Sequence, residues 1–284
     1  MNKDEENKGT QRQDGTIVYS SETEGKRGII FPSPIFGPIH SRRLGVSLGI
    51  NLLPGDGKVC SFDCIYCECG YNKSFPPHQK FPTRTAVRQA LQAKLQEMKE
   101  QGPKPDVITF AGNGEPTMHP RFADIIDDVI QLRNEYFPEA KISVLSNATR
   151  IFRQDVFDAL LKVDNNILKI DTINPDYIRL VDRPISTQYN IEKIIHRMAE
   201  FQGKCIVQTM FMRGTHKGKD VSNVSDEFVL PWLEAIQRIR PSEVMIYTID
   251  RTTPSPLLEK ATPAELDNIG DRVQSLGIPC QVSY

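Results

Sequence analysis

The 284-residue sequence predicts an α/β fold: one parallel sheet with helices outside, curled into a (β/α)6 partial barrel. Two observations and one rule carry this. Strand-like apolar runs alternate with apolar stripes of helical period, six times in succession. The residues with chemistry to offer fall just past the strands, where parallel barrels carry their sites. Right-handed crossovers between sequential strands then curl the sheet.

The elements follow in order. Residues 1–27 are polar and without periodicity, and are expected to form a disordered tail ahead of a core domain over 28–284. Residues 28–41, rich in Pro and Gly, are expected to be extended. In the first strand Leu44, Val46, Leu48, Ile50 and Leu52 alternate with Gly45, Ser47, Gly49 and Asn51. The aliphatic face needs a cover of helices, and the small face implies room for a ligand. A helix over 86–101 buries Val87, Leu91, Leu95 and Met98, with Thr85 as its cap and Gly102 as its stop. Strand 106–112 follows, then a helix from Pro120 that uses Phe122, Ile125, Ile126 and Val129. Further strands are expected at 141–146, 167–172, 205–212 and 243–250, with helices at 153–162, 189–202 and 225–239. The last helix opens on Thr262-Pro263-Ala264-Glu265, a capping box with proline at the first helical position, and a short strand over 278–283 ends the chain.

Apolar residues make up 39% and charged residues 25%, which is ordinary globular usage. Net charge is −1, so no bulk electrostatic pull toward nucleic acid or anionic lipid is expected. No segment approaches the ~18 apolar residues of a membrane helix, and the polar first sixteen residues hold no signal-peptide core. Of six cysteines, four crowd between Cys60 and Cys69. In a long chain this reads as a metal or cluster site in a reducing compartment, the cytoplasm, rather than a disulfide framework.

Cys60, Cys64 and Cys67 are spaced C-x3-C-x2-C just after the first strand. Three thiolates on a short loop suit one face of an iron–sulfur cube and leave one iron open; a zinc knuckle is the alternative, but no second ligand hook is evident. Cys69 reads as a spectator thiol. Past the second strand, Gly112-Asn113-Gly114-Glu115-Pro116 offers close backbone approach and one carboxylate able to hold an ammonium. Past the third, Ser146 and Asn147 can bond a polar ligand or cap the loop. On the fourth, Lys169 and Asp171 share a face, either as an ion pair or turned to a cavity. Gln208, Thr248, Asp250 and Arg251 add polar groups at later strands.

The motif Cys60-x3-Cys64-x-Tyr66-Cys67 after the first strand of a parallel barrel resembles the radical S-adenosylmethionine (radical SAM) superfamily, over roughly Pro38 to the C-terminus. The resemblance implies a [4Fe–4S] cluster on Cys60, Cys64 and Cys67. It implies S-adenosylmethionine bound at the open iron and reductively cleaved to a 5′-deoxyadenosyl radical, which abstracts hydrogen from a substrate. Tyr66 would pack near adenine, or serve loop packing alone. Gly114 and Glu115 stand where the family binds the SAM amino group, although Asn113 departs from its GGE pattern. Ser146, Asn147, Lys169 and Asp171 would complete the SAM site. No residue is assigned to the catalytic step itself. A reducing partner such as flavodoxin or ferredoxin is expected.

The stretch from Gly37 to Gly45, with Arg42 and Arg43, is similar to an Fe–S oxidoreductase subgroup related to wyosine-type tRNA-modifying synthases. The archaeal members carry cysteines upstream for a second cluster, and this chain has none before Cys60. The substrate is left open among RNA, peptide and small metabolite. An RNA path would use Arg42, Arg43, Lys80 and the basic loop Arg213–Lys219. The alternative outside enzymology is an iron–sulfur electron carrier or sensor.

Overall fold

A computed structural model describes residues 9–12, 14–20, 27–41 and 45–284. Strands β1 (Thr10–Gln11), β2 (Ile17–Ser20) and β3 (Arg27–Ile30) form a small antiparallel sheet. Then come β4 (Ile35–Ser41), β5 (Gly45–Ile50), α1 (Arg84–Gln101), β6 (Val107–Phe110), α2 (Phe122–Tyr136), β7 (Lys141–Ser146), α3 (Gln154–Leu160) and β8 (Asn165–Lys169). A short helix α4 (Pro175–Tyr177) runs into a π-helical turn, Ile178–Asp182, ahead of α5 (Ile191–Ala199) and β9 (Ile206–Met210). The chain continues through β10 (Met212–His216), β11 (Lys219–Asp220), α6 (Asp226–Ile239), β12 (Glu243–Tyr247), β13 (Leu258–Lys260), α7 (Pro263–Gln274) and β14 (Cys280–Ser283).

Eight strands make one open sheet in the order β14-β12-β9-β8-β7-β6-β5-β4. All neighbours from β5 to β14 pair parallel, and β4 lies antiparallel on the β5 edge. β5, β6, β7, β8, β9 and β12 are the six expected strands, so the architecture is the partial (β/α)6 barrel. The aliphatic faces of these strands meet the helix stripes in one core. Leu48, Ile50, Ile108, Val144, Leu168 and Val207 lie against Val87, Leu91, Leu95, Ile125 and Ile195. Burying each such side chain contributes about 1.5–3 kcal/mol, which fixes where the carboxyl ends of the strands stand.

Several expectations are revised. The stretch 1–27 carries β1 and β2 in its described part; Tyr19 of β2 packs its ring 4.6 Å from that of Phe75, a partner the local sequence does not show. The cap of α1 is Thr83, not Thr85; its hydroxyl accepts from the Ala86 amide at 3.1 Å. The capping box at Thr262 and Glu265 forms as read. β8 begins and ends earlier than expected, so Asp171 lies past its end. The 205–212 segment breaks after Met210 into the β10–β11 hairpin, and the π-helical turn was not foreseen. The room inferred beside the first strand is filled from within. A Cβ on Gly49 would stand 2.2 Å from the Phe36 ring of β4, and the Ser47 hydroxyl pairs with that of Thr109 at 2.8 Å. Period two shows which face is small but not which distant side chain occupies it.

Candidate active site

The loop after β5 carries the cysteines, and two segments clamp it. On one side Val59 bridges Gly114: the Val59 amide donates to the Asn113 carbonyl at 2.9 Å, and the Glu115 amide to the Val59 carbonyl at 3.1 Å. Gly114 has φ +133°, and a Cβ there would lie 1.9 Å from the Val59 carbonyl oxygen, so only glycine allows the approach. On the other side the Ile65 amide donates to the Val181 carbonyl at 2.9 Å and the Asp63 amide to the Asp182 carbonyl at 3.1 Å. Asn72 pins the loop from within, its side-chain amide donating to the Cys60 and Phe62 carbonyls at 3.2 and 3.0 Å. Asn113, the departure from the family pattern, is buried. Its amide nitrogen donates to the Phe31 and Pro54 carbonyls at 2.9 and 2.8 Å, tying the incoming chain to the site.

Cys64 and Cys69 are buried, Cys60 and Cys67 half-buried. Burial pushes the Cys60 thiol up to about 12 and Cys64 well above the usual thiol range. Cys67 is held well below that range, first by a hydrogen bond from Cys69 and then by the Lys58 charge, against the opposing effect of burial. The Cys69 thiol also donates to the Gly112 carbonyl at 3.3 Å. Lys58 is 3% exposed, and its ammonium donates to the Gly70 carbonyl at 2.5 Å. Burial works against that charge, but the four sulfurs of the loop outweigh it and hold its pKa above the ordinary value. Among the described residues no group of three or more His, Cys, Asp or Glu side chains is disposed to hold a single metal ion. A donor set of thiols alone, with a buried cation to offset their charge, fits iron–sulfur chemistry.

Glu115 is 2% exposed and fully engaged. Its carboxylate accepts from the Thr117 amide at 3.1 Å, the Thr117 hydroxyl at 2.5 Å, the Ser146 hydroxyl at 2.9 Å and the Asn147 amide at 2.6 Å. Burial raises its pKa, with these donors opposing. Asn147 continues the chain of contacts: its side-chain amide donates to the Ser61 hydroxyl at 2.9 Å and toward Cys60 Sγ at 3.6 Å. The ends of β6 and β7 are thus locked to the cysteine loop.

A second polar cluster faces Cys64. Lys169 Nζ lies 3.1 Å from Asp171, 2.5 Å from Asp182 and 3.7 Å from Cys64 Sγ, over the rings of Phe62 and Tyr66. Burial opposes the lysine charge, but Asp171 and Asp182 prevail and hold it well above its usual range. Burial pushes Asp182 up to about 7 against the pull of Lys169. The Tyr66 hydroxyl donates to Asp171, whose other oxygen accepts from the Met210 amide at 3.0 Å.

The structure therefore brings Cys60, Cys64, Cys67, Tyr66, Gly114, Glu115, Ser146, Asn147, Lys169 and Asp171 to one end of the sheet. Lys58 and Asp182 were missed. A lysine two residues before the first cysteine and an acid after Leu180-Val181 are the local signals they leave. Other expectations fall elsewhere. Cys205 and Cys280 lie at the amino ends of β9 and β14, away from the loop. Arg213 pairs with Glu265, and Arg251 with Glu68 at 2.7 Å. Arg42 and Arg43 lie outside the described residues. A cavity of about 880 Å3 opens at the amino ends of the strands by Val107, Lys141 and Glu243, opposite the cysteines.

The chain is 30% identical over 233 residues to a UPF0026 protein of Synechocystis sp., covering 80% of this chain and 78% of that one. It is 28% identical over 222 residues to a UPF0026 protein of Helicobacter pylori, covering 78% and 67%. A protein named GTPase Obg from Brachyspira hyodysenteriae is 27% identical over 240 residues, 82% of this chain but only 32% of that protein. Among solved structures, a radical SAM methyltransferase from Sphaerobacter thermophilus superposes with TM-score 0.63 at 13% identity, over 97% of this chain and 75% of that one. TYW1 with a lysine-pyruvate adduct bound superposes with TM-score 0.56 at 14% identity, over 81% and 73%. The wyosine-type likeness is thus one of several within the fold. Residues 56–221 match the model of the Radical SAM superfamily, and the chain belongs to that superfamily of enzymes.

Proposed function

We propose that this protein binds one [4Fe–4S] cluster through Cys60, Cys64 and Cys67 and cleaves S-adenosylmethionine reductively. The observation that carries the reading is the clamp on the cysteine loop. Val59–Gly114 on one side and Asp63–Asp182 on the other hold a thiol-only loop at the carboxyl ends of the parallel strands. A cluster held by Cys60, Cys64 and Cys67 would supply the single electron for reductive cleavage of SAM to methionine and a hydrogen-abstracting 5′-deoxyadenosyl radical.

The chain's own residues set the conditions for this. Lys58 and Lys169 offset the charge that thiolates bring into a buried place. Asn147 donates toward Cys60 and orients that sulfur. Tyr66, Gly114, Ser146, Asn147, Lys169 and Asp171, gathered at the same end of the sheet as the cysteine loop, are the residues that would contact SAM. Glu115, with both oxygens already engaged, acts by holding Ser146 and Asn147 in place. A flavodoxin- or ferredoxin-like protein of the cytoplasm supplies the electron. Arg213 of the basic loop is paired with Glu265, and no observation favours RNA as substrate.

The test is anaerobic reconstitution with iron and sulfide, then reduction in the presence of SAM. The expected products are methionine and 5′-deoxyadenosine. A cluster whose spectrum SAM leaves unchanged, with no SAM consumed, would make the protein an electron carrier or sensor instead.

A further inference from the structure

We propose that the cleft beside Ser61 is the substrate site, and that it takes a small anion with a flat apolar body. The assignment of the occupant as substrate rests on the radical SAM reading; its chemistry does not. The cleft encloses about 500 Å3, the size of a small-molecule site. Its lining includes the hydroxyls of Thr149 and of Ser61, the residue after Cys60, 2.6 Å apart. Its wall is Tyr189, whose ring stands edge-on to Phe62 of the cysteine loop at 5.3 Å. An occupant therefore lies against the loop that the reaction uses.

Two features define what fits. Phe152 and Ile185, both of which line the cleft, are 54% and 63% exposed, an apolar display within one opening. Arg150 and Lys193 also line the cleft, and no Asp or Glu does. Among the described residues neither has a carboxylate within ion-pair distance, whereas their neighbours Arg153, Arg197 and Arg238 are paired with Asp155, Glu200 and Glu192. An aromatic or alicyclic body would lie between Phe152 and Ile185, with its phosphate or carboxylate on Arg150 and Lys193. A polymer is disfavoured because the cation track stops. In the adjoining cavity Arg179 is already paired with Asp176, and Glu192 with Arg238.

The test titrates the reconstituted full chain with 1-naphthyl phosphate, 1-naphthoate, 1-naphthol and inorganic phosphate, followed by calorimetry. The expected result is one site for the two aromatic anions, with naphthol and phosphate each weaker by about tenfold or more. The preferred anion names the acidic group. Arg150→Gln and Lys193→Gln should each weaken the anions about tenfold and leave naphthol unchanged, while Phe152→Ser weakens all three aromatics. Equal binding of naphthol and the anions, or anion binding untouched in both charge variants, overturns the proposal. So does displacement by single-stranded oligoribonucleotides whose affinity climbs with length, which would mark a polymer path. Deoxyadenosine formation by the wild-type protein is scored separately, so a failure of SAM cleavage with intact probe binding refutes the reaction and not the site.

Discussion

Replacing Gly114 by alanine should dismantle the clamp on the cysteine loop. The added Cβ would stand 1.9 Å from the Val59 carbonyl oxygen, on a backbone at φ +133° that side chains rarely adopt. Strain of this kind is worth about 1–3 kcal/mol. Relief requires the two segments to part, which forfeits the hydrogen bonds of Val59 with Asn113 and Glu115, at 2.9 and 3.1 Å. Two such bonds contribute about 1–3 kcal/mol together, so the expected loss is about 2–6 kcal/mol, a large share of the ~5–15 kcal/mol that holds a domain folded. Gly218→Ala is the internal control. It also has positive φ, +74°, but nothing lies within 4 Å of its Cβ. It should lose only about 1–2 kcal/mol. Urea unfolding of the apoprotein measures both, and iron per chain after anaerobic reconstitution reports whether Cys60 is still in place. If Gly114→Ala matches the control in stability and loads iron fully, the clamp is not what positions the cysteines.

Cys60→Ala, Cys64→Ala and Cys67→Ala should each lose the cluster, whereas Cys69→Ala keeps it; near wild-type iron in Cys64→Ala refutes the ligand set. Lys169→Met leaves Asp171 and Asp182 facing each other in a buried place and should lose about 3–5 kcal/mol. Adding Asp182→Asn should recover part of that, and a single variant within about 1 kcal/mol of wild type, the error of urea unfolding, would argue against the triad. The hydrogen bond from Arg213 holds Glu265 down to about 2, so its stabilisation is complete above the ordinary value of 4.5 and is lost as pH falls through about 2. Glu265→Gln should therefore flatten the acid limb of the melting-temperature curve; an unaltered limb would show the ion pair to be inert.

Much of the site was legible because its parts obey local rules. The cysteine spacing, the Gly112–Glu115 turn and the Ser146-Asn147 end were each placed by the strand preceding them, and β7 runs Lys141–Ser146 as read. Their mutual contacts were not legible. Glu115 reads in sequence as a carboxylate offered to a ligand, yet the chain's own donors from Thr117, Ser146 and Asn147 engage both of its oxygens. Lys169 and Asp171 were left open between an ion pair and a cavity position. The structure makes them a pair and adds Asp182 from a turn that propensity does not reveal, since π-helical geometry has no sequence signature.

By itself the order of amino acids determined the six strand–helix units, the parallel sheet and the crowding of thiols after the first strand. These follow from periodicity, capping and spacing, which act over a few residues. Only the tertiary structure decided that Phe36 fills the space over Gly49, that Lys58 is buried beside four sulfurs, and that Asp182 meets Cys64 across 118 residues of chain. Such contacts depend on how distant segments converge when the core closes, and a burial shared between far-apart residues leaves no mark on either one alone.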